Sequence, residues 1–366
     1  MYSKRNFLLL FLSPLIGLFS KPPRDATDLQ IVINTWAFTD ATEASWSALS
    51  SLGPIEAVIA GGSTCERLQC DYTVGYGGSP AEDNAVSLDA LIIDGVSLKA
   101  GGVVNLRSTP YAIKAAHLVM QHTRHTILAG SQADSFAASM GLPPHDLNTR
   151  HSRQIYQDWL DNKCQPNFWH NVFPDPSTSC GPYIPAVPAV QQRNHNSTDN
   201  HTTSPWVSAT AHDTIALAAI SIINKINNKD PSSLPETISI AAGCSSNGAT
   251  HKIPGRVSDC GVPGAGAYAD AAVGACGSTG DGDAHLRFLP CYQVVENMRR
   301  GMLPKEAAED AIGRIARKVP GYVGAVFAVD VRGRHAGACF GWEFKYSYKT
   351  NSSGTVQVVI VQSIVL

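Results

Sequence analysis

One stretch, AHDTIALAAISI (Ala211–Ile222), constrains the fold more than any other. It opens on small and polar residues and then turns almost wholly apolar, which reads as a buried strand. Just upstream lies QQRNHNSTDNHTTSP, polar and nearly featureless, an exposed linker near residues 188–205 and a place prone to cleavage. Downstream, the polar insertion NKINNKDPSSLPET separates it from a second strand, ISIAAG, so the two form a hairpin with a long loop. Further strands read from LQIVINTW, SLDALIIDG, HTILAG, GAVFAVDVRG, HAGACFGWEFKYSY and the apolar end TVQVVIVQSIVL. Helical spacing marks ATEASWSALSSL, PYAIKAAHLVMQHT, SQADSFAASMG, CYQVVENMRRG and PKEAAEDAIGRIARKV. Strands in antiparallel-looking pairs, and helices in pairs, imply an α+β chain of layered sheets covered by helices.

With 366 residues, 44% hydrophobic and 16% charged, the chain can bury a sizeable core. A formal net charge of −2 gives no basic stripe for nucleic acid. Lys4, Arg5, the apolar FLLLFLSPLIGLF and Ser20 read as a secretory signal over residues 1–20. That run is too short to span a bilayer, and no other segment is long enough, so no membrane span is expected in the mature protein. Nine cysteines suit an oxidising compartment. Cys65 and Cys70 are close in sequence, as are Cys164 and Cys180, but sequence alone does not fix their pairing. Asn196, Asn200 and Asn351 begin glycan-acceptor triplets.

Asp213-Thr214 stands at the mouth of the buried strand. An ordinary Thr there serves β-propensity. If the chain is cut before it, Thr214 becomes an N-terminus whose hydroxyl is a nucleophile and whose α-amino group, titrating near ~8, is the base. Arg256 and Asp259 lie three apart in a Gly- and Pro-rich loop. Together they can hold an amino-acid head group, Arg on the α-carboxylate and Asp on the α-ammonium. GSTGDGD is expected to be a tight turn whose backbone N–H groups form an oxyanion hole beside the Thr279 hydroxyl. GAGAYAD lacks the third glycine of a nucleotide loop, and no strand is expected to lead into it. His117, His122 and His125 have no companion acid or thiol, so neither metal nor cofactor is expected.

These residues carry a resemblance. The chain is similar to the glycosylasparaginases (aspartylglucosaminidases), N-terminal nucleophile hydrolases of the lysosome. The likeness runs from INTWAFTDATEASWSAL through CERLQCDYTVGYGGSP, HDTI, SNG, GRVSD, PGAGAYAD and TGDGD to GAVFAV. It implies a four-layer αββα sandwich. It implies self-cleavage between Asp213 and Thr214 into an α chain (21–213) and a β chain (214–366), assembled as a heterotetramer of two each. It implies Thr214 as nucleophile, with Arg256 and Asp259 gripping the asparagine head group. Thr279 and Gly280 would form the oxyanion hole and Trp36 would wall the pocket. Ser79 would be a pocket or support residue, and Ser246 would supply the auxiliary hydroxyl. The likeness pairs Cys65 with Cys70 and Cys164 with Cys180. A third family pair falls on Ala307 and Ala328, and Cys339 lacks a late partner. This chain departs from the family at Ala211, where Gly is usual, and in the insertion near 224–237. It departs again at Ser258 and Cys260 and in its C-terminal tail.

The reaction so implied is hydrolysis of the amide between a glycan's N-acetylglucosamine and asparagine, in lysosomal glycoprotein breakdown. The rivals are an isoaspartyl peptidase and L-asparaginase of the same superfamily, or an uncleaved, inactive secreted binding protein in the extracellular space.

Overall fold

The computed structural model describes residues 29–186, 214–224 and 236–366. The leader (1–20), the linker (188–205), Ala211, Asp213, Asn196, Asn200 and the middle of the insertion lie outside the described residues.

The strands are β1 (Leu29–Thr35), β2 (Leu88–Asp94), β3 (Ala100–Leu106), β4 (Ile127–Ala129), β5 (Val172–Phe173), β6 (Ile184–Pro185) and β7 (Ile215–Asn224). They continue as β8 (Glu236–Ser246), β9 (Ala267–Asp270), β10 (Gly274–Gly280), β11 (Gly324–Asp330), β12 (His335–Phe340), β13 (Phe344–Thr350) and β14 (Gln357–Val361). The helices are α1 (Thr39–Leu52), α2 (Pro54–Leu68), α3 (Ala112–His122), α4 (Gly130–Ser139), α5 (Arg150–Asp161), α6 (Gly282–Phe288), α7 (Pro290–Arg299) and α8 (Pro304–Ala316).

An eight-stranded sheet runs β14-β13-β1-β7-β8-β2-β3-β4, and a four-stranded sheet runs β12-β11-β10-β9. All their pairings are antiparallel except β3 with β4. Strand alternation sorts β7 into two faces. Ile215 and Leu217 point into a core shared with α1, α2 and α3. Ala216, Ala218 and Ile220 point the other way, into a core shared with Ala267, Ala275 and Phe327 of the smaller sheet. A third core lies beneath α7 and α8, where Val294, Ala308 and Ile312 cover Cys276, Val326 and Ala338. The layers are therefore helix, sheet, sheet, helix, as the family resemblance implies.

The β7–β8 hairpin pairs from Ile215↔Ser245 to Asn224↔Glu236, with the insertion at its far end. The apolar tail is an edge strand, β14, on β13. Two expectations fail. GACGSTG is strand β10, wholly buried and paired to β11 as far as Gly280↔Gly324, and the turn begins only at Asp281. AYAD, read as loop, is β9. Glycine and alanine dominate both stretches because the facing sheet leaves no room. A Cβ on Gly277 would sit 2.7 Å from the Ala216 methyl. Helices α2 and α5 and strand β3 had no counterpart in the sequence reading.

Cys65–Cys70 and Cys164–Cys180 are both formed. The second closes a loop of 16 residues in a segment with little regular structure. A loop of that size restricts the unfolded chain by roughly 3 kcal/mol in the chain-entropy account. Asn351 is exposed in the turn after β13, its Oδ1 accepting from the Gln30 N–H at 2.6 Å.

Glu66 of α2 is buried against the hairpin. Its Oε1 accepts from the Ser245 hydroxyl at 2.7 Å and the Ile113 N–H at 2.8 Å. Its Oε2 finds no hydrogen-bond partner among the described residues. Burial raises its pKa from 4.5 to about 7, against the lowering effect of those two bonds. The folded pKa thus exceeds the unfolded one. Stability is complete below the unfolded value and falls as pH rises through the window to about 7. Glu66→Gln keeps the acceptor and removes the charge. It is expected to stabilise the protein by up to about 3 kcal/mol at pH 8 and hardly at all at pH 4.5, read as the melting temperature at both pH values.

Candidate active site

Thr214 immediately precedes β7 at the centre of the larger sheet and is buried. The Thr35 hydroxyl donates to the Thr214 carbonyl at 3.0 Å and accepts from the Ala216 N–H at 2.9 Å. Thr214 lies on the Ala216 face, between the sheets. Its hydroxyl donates towards Asp259 Oδ1 at 3.5 Å, a long contact. One step beyond the Ile215↔Ser245 pair, Ser246 holds the ladder position opposite Thr214. The Ser246 hydroxyl accepts from the Gly248 N–H at 2.9 Å.

The backbone changes direction at Trp36, whose φ is +65°. Its N–H donates to the Lys345 carbonyl, and its indole N–H donates to the Thr279 hydroxyl at 3.1 Å. The ring meets Trp342 and Phe344 edge-on. Gly280 follows Thr279 with a φ of +119°, and a Cβ there would lie 2.5 Å from the Gly324 Cα, so glycine is required.

Asp259 begins a short 3-10 turn, Asp259–Gly261, and its carboxylate is buried. Its Oδ2 faces His285 Nδ1 at 2.8 Å and lies 3.3 Å from the Ser278 hydroxyl, which donates to the Ala265 carbonyl at 2.8 Å. Arg256 donates to Asp283 Oδ2 at 2.9 Å, while its Nε has no acceptor among the described residues. A guanidinium with donors to spare beside a carboxylate with one oxygen uncommitted is what a zwitterionic head group needs.

The sequence reading missed the support for this loop. Asp89 of β2 accepts from the Ser258 N–H at 2.6 Å and the Asn105 N–H at 2.7 Å, tying the Arg256–Asp259 loop to the larger sheet. Burial raises the Asp89 pKa, and those two N–H groups oppose the rise. Lys252, which sequence would place in solvent, is buried. Its ammonium donates to the Asn247 carbonyl at 2.8 Å and the Ser79 carbonyl at 3.1 Å. Burial pulls its pKa down to about 7. Ser79 therefore enters the structure as a backbone acceptor for Lys252. A separate cavity of about 520 Å³, lined by Glu66, Tyr111 and Lys114, lies on the other face of the larger sheet and shares no residue with this site.

Thr214 with Asp259 and Trp36 with Thr279 are thus two hydrogen-bonded pairs, brought side by side by the neighbouring residues Thr35, bonded to Thr214, and Ser278, beside Asp259. Gly282, at the first position of α6, is the tightest constraint on the grip. A Cβ there would stand 2.9 Å from Arg256 Nη2 and 3.4 Å from Asp259 Oδ1. The flexible guanidinium would yield before the fold. Gly282→Ala is expected to weaken L-aspartate binding about tenfold with the melting temperature nearly unchanged, as read by titration calorimetry beside a thermal melt.

Comparison with known proteins identifies the family. The family model described as asparaginase matches residues 15–222 and 233–360, parting where the β7–β8 insertion lies. The probable isoaspartyl peptidase/L-asparaginase 3 of Arabidopsis thaliana is 47% identical over 97% of this chain and 96% of its own. The N(4)-(beta-N-acetylglucosaminyl)-L-asparaginase of Mus musculus is 44% identical over 93% of this chain and 92% of its own. Its namesake from Rattus norvegicus is also 44% identical, over 93% and 92%. Matched by the family model over most of its length and folded as a helix–sheet–sheet–helix sandwich, the chain belongs to the asparaginase family and is an amidohydrolase.

Proposed function

We propose that this amidohydrolase cleaves N4-(β-N-acetylglucosaminyl)-L-asparagine, with Thr214 as nucleophile, after the chain cuts itself between Asp213 and Thr214. The observation that carries the reading is the position of Thr214. It starts the central strand, its carbonyl is fixed by Thr35, and its hydroxyl faces Asp259. A threonine inside a chain has no general base of its own. Cleavage creates an α-amino group on the same residue, with a pKa near ~8, suited to take the hydroxyl proton. Arg256 receives the α-carboxylate and Asp259 the α-ammonium. Thr214 Oγ1 attacks the side-chain carbonyl carbon. The Thr279 hydroxyl, oriented by the Trp36 indole, and the Gly280 N–H stabilise the oxyanion. The ammonium returns its proton to the departing glycosylamine, leaving a β-aspartyl ester on Thr214. Water then releases aspartate. The free glycosylamine decomposes to ammonia and sugar.

A grip on both α-groups requires that the surrounding peptide be degraded first. That suits a lysosomal enzyme delivered by the signal peptide, acting as a heterotetramer of two α and two β chains. The Arabidopsis relative's name supports a second reading, β-aspartyl peptide or asparagine hydrolysis, since those substrates share the same head group.

A denaturing gel of the purified protein is expected to show two chains, the smaller beginning at Thr214 by N-terminal sequencing. Turnover of glycosylasparagine should exceed that of a β-aspartyl dipeptide, and the reverse order would establish the second reading. Thr214→Ala is expected to lower kcat by at least about 10³-fold and to leave a single chain. A wild-type chain that stays uncut and inert would overturn the proposal.

A further inference from the structure

The carboxylate assigned above to the substrate's α-ammonium is itself held by two buried side chains. We propose that His285 and Tyr322 form a positioning relay that orients Asp259 for head-group recognition. The inference rests on the reading of Arg256 and Asp259 as the grip.

His285 Nδ1 lies 2.8 Å from Asp259 Oδ2, and His285 Nε2 lies 2.8 Å from the Tyr322 hydroxyl. The exposures of His285, Tyr322 and Asp259 are 0%, 1% and 1%, so water does not complete these bonds. Burial pushes the Tyr322 phenol well above its usual range, and nearby carboxylates add to the effect, so the phenol keeps its proton. A protonated phenol donates to Nε2. That nitrogen is then the acceptor, and the ring hydrogen resides on Nδ1, which donates to Asp259. The imidazole is thus a rigid spacer between a phenol and a carboxylate.

The elements around it are shaped for this purpose. His285 stands in the short helix α6, which Asp281 caps, and Tyr322 stands just before β11. Gly324 passes across the pair. A Cβ at Gly324 would fall 2.3 Å from the Tyr322 oxygen and 2.9 Å from His285 Nε2, so only glycine admits the relay. Oδ2 is thus engaged by His285, with the Ser278 hydroxyl 3.3 Å away while it donates to the Ala265 carbonyl at 2.8 Å. Oδ1 is left as the free acceptor, turned towards Thr214. His285 touches no reacting atom and acts through Asp259.

The test uses the full-length matured protein. His285→Leu removes the donor at similar volume. His285→Asn restores an amide N–H close to the Nδ1 position. Tyr322→Phe deletes one oxygen. Each is assayed for kcat and KM on an α-amino substrate, glycosylasparagine, and on the same amide lacking the α-amino group, with a thermal melt beside each. His285→Leu is expected to raise KM for the α-amino substrate about tenfold, with a smaller change in kcat. On the deaminated substrate its KM should match wild type. His285→Asn should recover most of the loss, and Tyr322→Phe should fall between. Equal KM changes on both substrates, or none on the α-amino one, would overturn the relay. If His285→Leu does not fold, the contrast between Tyr322→Phe and wild type on the two substrates decides by the same criterion. Wild-type protein that turns over neither substrate refutes the functional reading instead. L-aspartate affinity of wild type against Tyr322→Phe, by calorimetry, then judges the relay alone, and equal affinities would sink it.

Discussion

Where β1 and β7 separate, the Thr35 side chain stands in for a backbone group. Its hydroxyl accepts from Ala216 and donates to Thr214, satisfying two main-chain groups that would otherwise be buried without partners. Each such group costs about 1–3 kcal/mol when left unpaired. Because a side chain does this work, the Thr35 backbone is released from the β7 ladder and the chain can turn at Trp36. The same turn carries the indole to Thr279. One threonine therefore fixes Thr214 from its carbonyl side and lets the next residue orient the Thr279 hydroxyl. The Thr214 hydroxyl is left on the side that faces Asp259.

The second half of the site comes from the other sheet, and only close approach brings it within reach. The interface is built from small residues. Ala216, Ala218 and Ala242 face Ala267, Ala269 and Ala275, and Gly277 lies against Ala216 with no room for a methyl. Alanine and glycine are poor strand formers when judged alone. Here β7 has a partner on each side, β1 and β8, and β10 lies between β9 and β11, so ladder hydrogen bonds and packing outweigh the local preference. A larger residue at these positions would hold Ser278, Thr279 and the Asp259 loop away from Thr214. Asp89 and Lys252 complete the assembly from the larger sheet's side. They convert buried charge into fixed distances between the loop, β2 and the end of β8.

The same physics explains what could be read in the sequence. Thr214, Arg256, Asp259 and Thr279 were legible because their residue types and short spacings suggest chemistry, and the family likeness supplied roles for Trp36, Ser79, Gly280 and Ser246. The long apolar runs β7 and β11 were legible because burial is written in their composition. Strands β9 and β10 were not. Glycine and alanine read as a turn until a facing sheet is known to require them. Helix α2 carries Gly61 and Gly62 in its interior, at a propensity cost of about 1 kcal/mol each. A Cβ at Gly61 would lie 2.1 Å from Ser45 Oγ, so the sequence serves the α1–α2 contact rather than the helix. His285, Tyr322, Thr35 and Asp89 were silent for another reason. Each acts on a residue at least 26 positions away, and no local pattern encodes that pairing.

The grip also limits where substrate choice can arise. In the function proposed above, Arg256 and Asp259 act on α-groups that glycosylasparagine, asparagine and β-aspartyl peptides have in common. Binding energy shared by all of them shifts their KM values together and leaves their ratio unchanged. If the proposed relay holds, a change in the Asp259–His285–Tyr322 chain alters every β-amide activity in proportion. Discrimination must come from contacts with the leaving group, which differ between a sugar and a peptide. Relatives bearing both kinds of name are about equally similar to this chain, at 44% and 47% identity. Overall similarity is accordingly a poor guide to specificity within this fold. On the proposed grip, the residues that decide it lie outside the buried network around Asp259, where the leaving half of the substrate is contacted.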